Sequence, residues 1–262
     1  MTPLLCTVLI CAAVCSLVMI CIWIWAYRIK NAGVVDIFWA FNFTAIAVLL
    51  YFLGTGLPMR KMIMCGMIFI WSMRLGIYLL IRVGSHLKEE EGRYKKLREE
   101  WAPSSNMKFF FFFQMQALSN VYLAIPFFLV CFNPNPEMNI LEYIGVAVWA
   151  ISIVGEGIAD AQLKMFKNDA SNKGKVCDKG LWNYSRHPNY FFESMIWVGY
   201  FLVAVTASYG WLAVLSPVTI LFLVLKMTGI PMTEEQSIRS KGDAYRAYQK
   251  TTSVFIPWFK KK

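Results

Sequence analysis

Seven long apolar stretches, separated by polar segments, dominate the chain. Each has about 18–24 residues, close to the roughly 20 that an α-helix needs to cross the hydrocarbon core of a bilayer. Because a backbone in lipid must satisfy its own hydrogen bonds, stretches of this length predict helices. We therefore predict an all-α polytopic membrane protein of about seven transmembrane helices. The stretches are Leu4–Ala26, Gly33–Leu53, Met62–Val83, Phe109–Phe132, Ile140–Ala159, Tyr190–Ala207 and Trp211–Ile230.

Lysine and arginine are distributed very unequally between the segments that connect these stretches. With seven spans, 21 of the 26 basic residues fall on the side of the first, third and fifth connections and the C-terminal tail, and two fall on the other side. In most membrane proteins the basic loops stay in the cytoplasm. We therefore expect an outside N-terminus and a cytoplasmic C-terminus, with the three long polar segments on the cytoplasmic face.

The composition supports a membrane environment and narrows the classes of function. The chain is 58% hydrophobic and 16% charged, against about 45–50% and 25% in soluble domains. A net charge of +10 suits nucleic acid, anionic headgroups or an anionic cofactor. Nucleic acid is the least favoured, because the basic residues lie between apolar spans. The seven cysteines show no metal-ligand spacing, so we expect neither a metal site nor a disulfide framework.

The densest group of polar side chains lies at the start of the sixth stretch. The run from Gly180 to Glu193 contains Arg-His-Pro-Asn-Tyr, in which Pro188 suits the first turn of a helix. A helix N-terminus attracts anions, and Arg186 adds a planar donor fork for phosphate or carboxylate. Glu193 lies one turn inside the stretch, where an ionisable group is costly and therefore a functional candidate. The competing interpretation is an interfacial anchor.

Charged side chains at the end of the fifth stretch form a second candidate group. Glu156, Asp160, Lys164 and Lys167 follow one stripe of a helix. An ordinary helix end with snorkelling lysines would explain the two lysines well, but Glu156 and Asp160 less well.

Asp36 and Arg74 lie within the second and third stretches. An unpaired arginine at mid-span costs at least about 2.5–3.5 kcal/mol, so Arg74 should face the bundle interior and have a partner. A buried ion pair that fixes helix packing and a role in substrate binding are both open interpretations. The mixed-charge run Lys88–Trp101 predicts a solvated helix, in which Arg93 and Tyr94 are the two residues with potential for another role.

Together these motifs resemble the membrane reductases related to steroid 5-alpha-reductase. The resemblance runs nearly from end to end, and the combination is specific. The Arg-His-Pro-x-Tyr motif alone also occurs in isoprenylcysteine methyltransferases and sterol reductases. The stretches that carry the resemblance are Val34–Trp39, Trp71–Leu75, Gly92–Trp101, Glu156–Lys164, Asn172–Lys175, Gly180–Tyr190 with Glu193, and Tyr245–Pro257.

The resemblance implies an NADPH-dependent membrane oxidoreductase that reduces an activated C=C bond of a lipid or steroid-like substrate. Residues 109–262 would hold the cofactor, and residues 1–108 would form the substrate side. The membrane would be that of the endoplasmic reticulum in a eukaryote and the inner membrane in a bacterium. The cofactor-binding candidates are Asp160, Lys164, Lys167, Trp182, Tyr184, Arg186, His187, Asn189, Tyr190, Glu193, Tyr245 and Arg246.

The substrate end departs from the steroid reductases, which carry a glutamate near the second span and a tyrosine in the third. Here the second stretch offers only Asp36, so a steroid is not assumed as the substrate. The catalytic candidates are Asp36, Trp71, Arg74 and Tyr78.

Two other functions remain open. One is an S-adenosylmethionine-dependent methyltransferase of the isoprenylcysteine or phospholipid type, which often has a Glu-Glu pair after its last span, as Glu234 and Glu235 are placed here. The other is a non-enzymatic membrane scaffold or lipid-binding protein. The stripe that contains Asp160 and Lys164, together with the length of the resemblance, favours the reductase.

Overall fold

The computed structural model describes residues 2–90 and 92–260, which form helices joined by turns and loops. Strands are absent from these described residues, apart from one isolated parallel bridge between Ser185 and Ser253. Short 3-10 segments occur at Gly180–Asn183 and Gly210–Val214, and a π-helical turn occurs at Leu223–Met227. The α-helices are α1 Pro3–Ile29, α2 Val34–Leu53, α3 Pro58–Gly84, α4 Gly92–Glu100, α5 Ser105–Leu123, α6 Ile125–Cys131, α7 Ile140–Asn168, α8 Pro188–Ala204, α9 Leu215–Phe222, α10 Ile230–Lys241 and α11 Asp243–Thr251.

The predicted all-α membrane architecture is confirmed, with a different number of spans. Five described helical segments are long and apolar enough to cross a membrane, namely α1, α2, α3, α7 and Gly210–Lys241. The bent pair of α5 and α6 would make a sixth. The predicted span at Tyr190–Ala207 forms α8, whose 17 residues reach only about 26 Å. The orientation of the termini stays a prediction, because no membrane side is distinguished.

Two helix breaks explain why the apolar pattern does not translate directly into straight spans. The predicted fourth span is bent by 42° between α5 and α6. Pro126 stands in the first turn of α6, and its ring removes a backbone donor and prevents a straight continuation. The predicted seventh span passes through α9 and the π-helical turn and continues beyond Ile230 into α10.

The chain divides into two compact units. One contains Met1–Met138 with Ala207–Leu212, and the other contains Asn139–Thr206 with Ala213–Lys262. We call them the N-terminal unit and the C-terminal unit. The sequence-based division at residue 108 into a substrate side and a cofactor side stays a prediction, and the division between compact units falls after Met138.

Aromatic rings and paired amides build the interior of the N-terminal unit. Phe43 of α2 makes edge-to-face contacts with Trp71 of α3 and Phe127 of α6, at centroid distances of 5.2 and 6.2 Å. Asn42 donates to the amide oxygen of Asn120 at 2.9 Å. Between apolar helices such amide pairs contribute about 0.6–2 kcal/mol each, and they also fix the helix register.

The solvated helix predicted at Lys88–Trp101 is present in a shorter form as α4. Glu91, which belongs to the predicted run, lies outside the described residues. Arg98 of α4 forms two hydrogen bonds of 2.8 Å with the carboxylate of Glu90. The same carboxylate accepts from the backbone N–H of Ala32, which ties the loop before α4 to the turn between α1 and α2.

In the C-terminal unit, capping and close packing position α7 and α8. Asn139 and Glu142 form a reciprocal capping box at the start of α7, and this satisfies two backbone donors that the helix leaves unpaired. Gly145 of α7 packs directly on Gly199 of α8. A Cβ atom added at Gly145 would lie 2.8 Å from the Gly199 carbonyl oxygen, so this contact requires the absence of a side chain.

This contact makes a direct prediction. Gly145→Ala should lower the free energy of unfolding by about 1–3 kcal/mol, because the new methyl group meets backbone rather than a flexible side chain. Gly157→Ala on the same helix, where nothing lies within 4 Å, is the matched control. It should be neutral or stabilising by up to about 1 kcal/mol, from helix propensity. Thermal unfolding in detergent measures both, and equal midpoints for the two variants would contradict the close contact.

Candidate functional site

A single carboxylate, that of Glu234 in α10, organises the polar region of the C-terminal unit. It accepts hydrogen bonds from Arg186 Nε at 2.8 Å, Arg186 Nη2 at 3.2 Å, His187 Nε2 at 2.9 Å and Tyr245 Oη at 2.9 Å. Gln249 Nε2 donates to it as well. Since a carboxylate only accepts, the His187 proton on this contact lies on Nε2. The side chains of Glu234, Arg186 and His187 are 14%, 10% and 3% exposed.

Arg186 uses the rest of its guanidinium group to hold the C-terminal segment. Its Nη1 donates to the carbonyl oxygens of Gln249 and Thr252 at 3.0 and 2.8 Å. Its backbone N–H donates to the Ser253 carbonyl at 2.8 Å. The planar fork therefore joins α10, the end of α11 and the loop before α8, and a lysine has no equivalent geometry.

A small basic cavity adjoins this network. Its volume is about 100 Å³, which is large enough for one anionic group such as a phosphate. Lys167 of α7 and Lys241 of α10 both face it, together with Arg186 and His187. None of the lining side chains carries a carboxylate. The lining residues are Leu163, Lys167, Val176, Cys177, Trp182, Arg186, His187, Thr233, Ser237, Lys241, Tyr245 and Tyr248.

The two tyrosines of α11 face this cavity as neutral hydrogen-bond donors. Burial raises the pKa of Tyr245, and its hydrogen bond to the Glu234 carboxylate raises it further. Burial likewise raises the pKa of Tyr248, whose hydroxyl donates to the carbonyl oxygens of Trp182 and Ser185. Burial also raises the pKa of the Cys177 thiol, so the thiolate is disfavoured. The positive charge of the cavity is therefore not offset by these three groups.

Asn189, in the first turn of α8, has a hydrogen-bond partner for only one of the two polar atoms of its amide group. Its Nδ2 donates to Asp160 Oδ1 at 3.2 Å. Its Oδ1 is buried and has no hydrogen-bond partner among the described residues. Because a buried amide oxygen without a donor costs about 1–3 kcal/mol, the arrangement suits a ligand that brings an N–H or O–H group.

The loop before α8 is shaped by one glycine and two side-chain contacts. Gly180 has φ of +58°, and a Cβ atom there would lie 2.5 Å from the Gln162 side chain. Gln162 accepts from the Leu181 N–H at 2.9 Å, and Trp182 Nε1 donates to the Ala159 carbonyl at 2.9 Å. These contacts hold the Trp182 ring at the cavity wall, next to the end of α7.

The structure brings together part of the predicted cofactor-binding set. The cavity is lined by five of the predicted residues, namely Lys167, Trp182, Arg186, His187 and Tyr245.

Three other predicted residues do not line the cavity but make contacts elsewhere in the C-terminal unit. Tyr190 stacks on His187 at 5.5 Å and contacts Thr233 through its hydroxyl group. Asp160 meets Asn189, as described above, and Glu193 accepts from Trp197 Nε1 at 3.0 Å. Three further predicted residues, Lys164, Tyr184 and Arg246, are exposed and do not line the cavity.

Sequence reasoning missed several polar residues of this region as cofactor candidates, among them Glu234, Lys241, Tyr248, Gln249 and Cys177. In the sequence, Glu234 stands out only as part of a Glu-Glu pair. The sequence signal that could have identified Glu234 is the spacing of Tyr245, Tyr248 and Gln249, which fall on one face of α11. A polar helix face of this kind needs a hydrogen-bond acceptor to pack against, and Glu234 on the preceding helix is a nearby acidic residue.

In the N-terminal unit, Asp36 forms a compact ion-pair cluster. Arg93 Nη2 donates to both of its carboxylate oxygens, at 2.7 and 2.6 Å, and the Tyr94 hydroxyl donates to Oδ1 at 2.8 Å. Arg82 lies 3.9 Å away. Burial raises the pKa of Tyr94 well above its usual range, and the charge of Asp36 adds to this effect. This geometry favours the interpretation of Asp36 as a packing ion pair between α2 and α4.

The other three catalytic candidates follow one stripe of α3 but differ in environment. Trp71 is fully buried against Phe43, and Arg74 is half-buried. Tyr78 is 52% exposed. Their catalytic roles stay predictions. Among the described residues, no group of three or more His, Cys, Asp or Glu side chains is arranged to hold a metal ion.

Comparison with known proteins gives a family but no described activity. The family described as "Protein of unknown function (DUF1295)" matches residues 22–252. An uncharacterized protein of Schizosaccharomyces pombe (strain 972) is 26% identical over 258 residues, which cover 87% of this chain and 73% of the relative. No solved structure gives a significant match.

The Glu234 network makes a stability prediction. Glu234→Gln removes the charge but keeps the shape, and it leaves the buried Arg186 without its counter-ion. We expect a loss of about 3 kcal/mol or more in the free energy of unfolding. Glu235→Gln is the control, since Glu235 is 71% exposed in its pair with Arg239 and should change stability by less than about 0.5 kcal/mol. Thermal unfolding in detergent that shows equal effects of the two substitutions would contradict the central role of Glu234.

Proposed function

We propose that this chain, which belongs to the DUF1295 family, is an NADPH-dependent membrane oxidoreductase that reduces an activated C=C bond of a hydrophobic substrate. The observation that carries the proposal is the charge of the cavity beside Glu234. Lys167 and Lys241 face it beside Arg186, which is already paired with Glu234, and no lining side chain is acidic. Lys241 is half-buried and Lys167 is exposed at the cavity, and two neighbouring lysines repel each other less when an anion binds between them.

The charge of the cavity separates the two candidate cofactors. NADPH carries a pyrophosphate and a separate phosphate on its adenosine ribose, and either group suits lysine and arginine. S-adenosylmethionine carries a cationic sulfonium, an ammonium group and a single carboxylate, and so brings much less negative charge to the lysines than NADPH does. The cavity therefore favours NADPH. At about 100 Å³ it takes a phosphate-sized group, and the remainder of a dinucleotide would extend beyond it.

The first turn of α8 offers a second point of recognition. The unpaired Asn189 Oδ1 would accept from a carboxamide N–H or a ribose hydroxyl of the cofactor. Asp160 orients the Asn189 amide by accepting from its Nδ2, which fixes the oxygen as the free end. Together the lysines and Asn189 supply charge recognition and directional hydrogen bonding, the two components that orient a bound cofactor.

When bound, NADPH would supply a hydride to one carbon of the double bond, and a proton from an acid or water would add to the other carbon. The residues of this chain would hold the cofactor and orient it. Lys167 and Lys241 would bind a phosphate group, Asn189 would accept a hydrogen bond from a polar edge of the cofactor, and Glu234 keeps Arg186 and His187 in place. The resemblance to steroid 5-alpha-reductase supports the reaction type, since hydride transfer to an enone-like bond is the chemistry of those enzymes.

The proposal of a hydrophobic substrate rests on apolar grooves in the two units. In the N-terminal unit, a groove of about 410 Å³ lies between α2 and α3, with Tyr51, Phe52 and Phe69 among its lining residues. In the C-terminal unit, a groove of about 650 Å³ is lined by Ile151, Val154 and other apolar residues. Both volumes are in the range of small-molecule sites.

A methyltransferase is the second candidate. The observation in its favour is the direct contact of Glu234 with Arg186 and His187, because these groups come from the two motifs that the chain shares with isoprenylcysteine-type enzymes. The two candidates differ in the group that they transfer from cofactor to lipid: a hydride from NADPH or a methyl group from S-adenosylmethionine.

An isotope-transfer experiment tests the proposal without knowledge of the substrate. Purified protein in liposomes made from the lipids of its own host receives NADPH deuterated at the transferable position, or S-adenosylmethionine with a deuterated methyl group. Mass spectrometry then follows the label in the lipid fraction. We expect deuterium from NADPH in a lipid product that gains two hydrogens. Label that arrives only from the methyl group would contradict the reductase and support the methyltransferase.

The cavity lysines make a binding prediction. Lys241→Gln should weaken NADPH binding about 10- to 100-fold, since a charge-assisted hydrogen bond is worth about 1.5–3 kcal/mol. Arg239→Gln on the same helix is the matched control, because Arg239 is 78% exposed and pairs with Glu235. NADPH at 100 times its Kd should stabilise the wild-type protein by about 2.7 kcal/mol. If Lys241→Gln and Arg239→Gln reduced the NADPH-induced thermal shift equally, the result would contradict the placement of NADPH at this cavity.

A further inference from the structure

A separate basic cavity lies in the N-terminal unit, where α1 ends and α5 begins. Its volume is about 480 Å³, within the 300–1,000 Å³ that are typical of ligand sites. Three of the lining side chains are cations and three are neutral hydrogen-bonding groups, and none is acidic. They are Arg28, Lys30, Arg98, Tyr27, Ser105 and Asn106.

The cations of this cavity retain capacity for an anion. Arg28 and Lys30 have no carboxylate within 4.0 Å among residues 2–90 and 92–260. Arg98 is held by Glu90 through Nε and Nη2, and its guanidinium carbon lies 4.8 Å from the Phe109 ring centroid. Glu90 therefore fixes the orientation of Arg98 and leaves Nη1 for another acceptor.

The neighbouring aromatic residues favour a position of this cavity at the level of the lipid headgroups. It lies at the end of α1, a candidate span, and at the start of α5, in the bent pair. Trp23 Nε1 donates to the Asn106 carbonyl at 3.1 Å, and the Trp23 ring lies 5.2 Å from Phe110. Trp and Tyr concentrate at membrane interfaces because one end of the ring is apolar and the other is polar.

We propose that this cavity binds the phosphate of an anionic phospholipid headgroup. Nη1 of Arg98 and the two nearby cations suit phosphate oxygens, and Ser105 and Asn106 add neutral hydrogen-bond donors. The acyl chains of such a lipid would remain in the bilayer beside the apolar surfaces of α1 and α5. The position of the site at the end of two membrane helices favours a lipid over a soluble anion. The site is independent of the proposed reductase activity.

Lipid retention tests this proposal. The full chain is reconstituted in nanodiscs of phosphatidylcholine that contain phosphatidic acid, is extracted into mild detergent, and the lipids that remain bound are counted by mass spectrometry. The test variant is Arg28→Gln/Lys30→Gln. The control is Lys173→Gln/Lys175→Gln, which removes the same charge from exposed positions outside the cavity. All three proteins are first shown to have similar unfolding midpoints, which is expected because the four substituted residues are exposed.

We expect the wild-type and control proteins to retain phosphatidic acid in preference to phosphatidylcholine. The test variant should lose about tenfold or more of this preference, since each cation near a membrane surface attracts anionic lipid about fivefold. Equal retention by all three proteins would overturn the proposal. An equal loss in both variants would also overturn it, because the effect would then come from net charge and not from this cavity. Stabilisation by inorganic phosphate without retained phosphatidic acid would overturn the lipid as its source.

Discussion

The hydrogen bonds to the Glu234 carboxylate are the interactions on which the packing of the C-terminal unit depends. Four side chains donate to it, and they come from the loop before α8 and from α11. Arg186 extends the network to the backbone of Gln249, Thr252 and Ser253. Because Arg186 is largely buried, its charge needs a partner at fixed geometry. Glu234 therefore determines where α10, α11 and the C-terminal segment meet the start of α8.

That arrangement has a consequence for the neighbouring cavity. With Arg186 and His187 fixed by Glu234, Lys167 and Lys241 are left to face the cavity without an acidic residue in its lining. The same network places Tyr245 and Tyr248 beside it as neutral donors. A structural ion pair thus orders the walls, and on the proposed function the two lysines, which have no carboxylate partner among residues 2–90 and 92–260, would supply the affinity for an anion. On this account the Arg-His-Pro-Asn-Tyr motif positions the site, and lysines from other helices bind the ligand.

The fold was predictable where it depends on local pattern, and the site was predictable only in part. Apolar stretches located the helices because burial in lipid requires helical backbone over their full length. The bend at Pro126 and the short α8 were not anticipated, since both depend on how far each helix continues. The sequence singles out Arg93 as a residue with potential for another role, but it does not identify Asp36 as its partner, because the two residues are 57 positions apart. Glu234 and Arg186 are 48 positions apart, so no spacing rule could connect them.

An experimental structure of the protein with NADPH tests the central claim most directly. The account predicts a cofactor phosphate within hydrogen-bond distance of both Lys167 Nζ and Lys241 Nζ, and a cofactor N–H or O–H donor at Asn189 Oδ1. Cofactor density elsewhere, with the cavity beside Glu234 filled only by water, would contradict it. Density for S-adenosylmethionine in this cavity, under conditions in which NADPH does not bind, would contradict it as well.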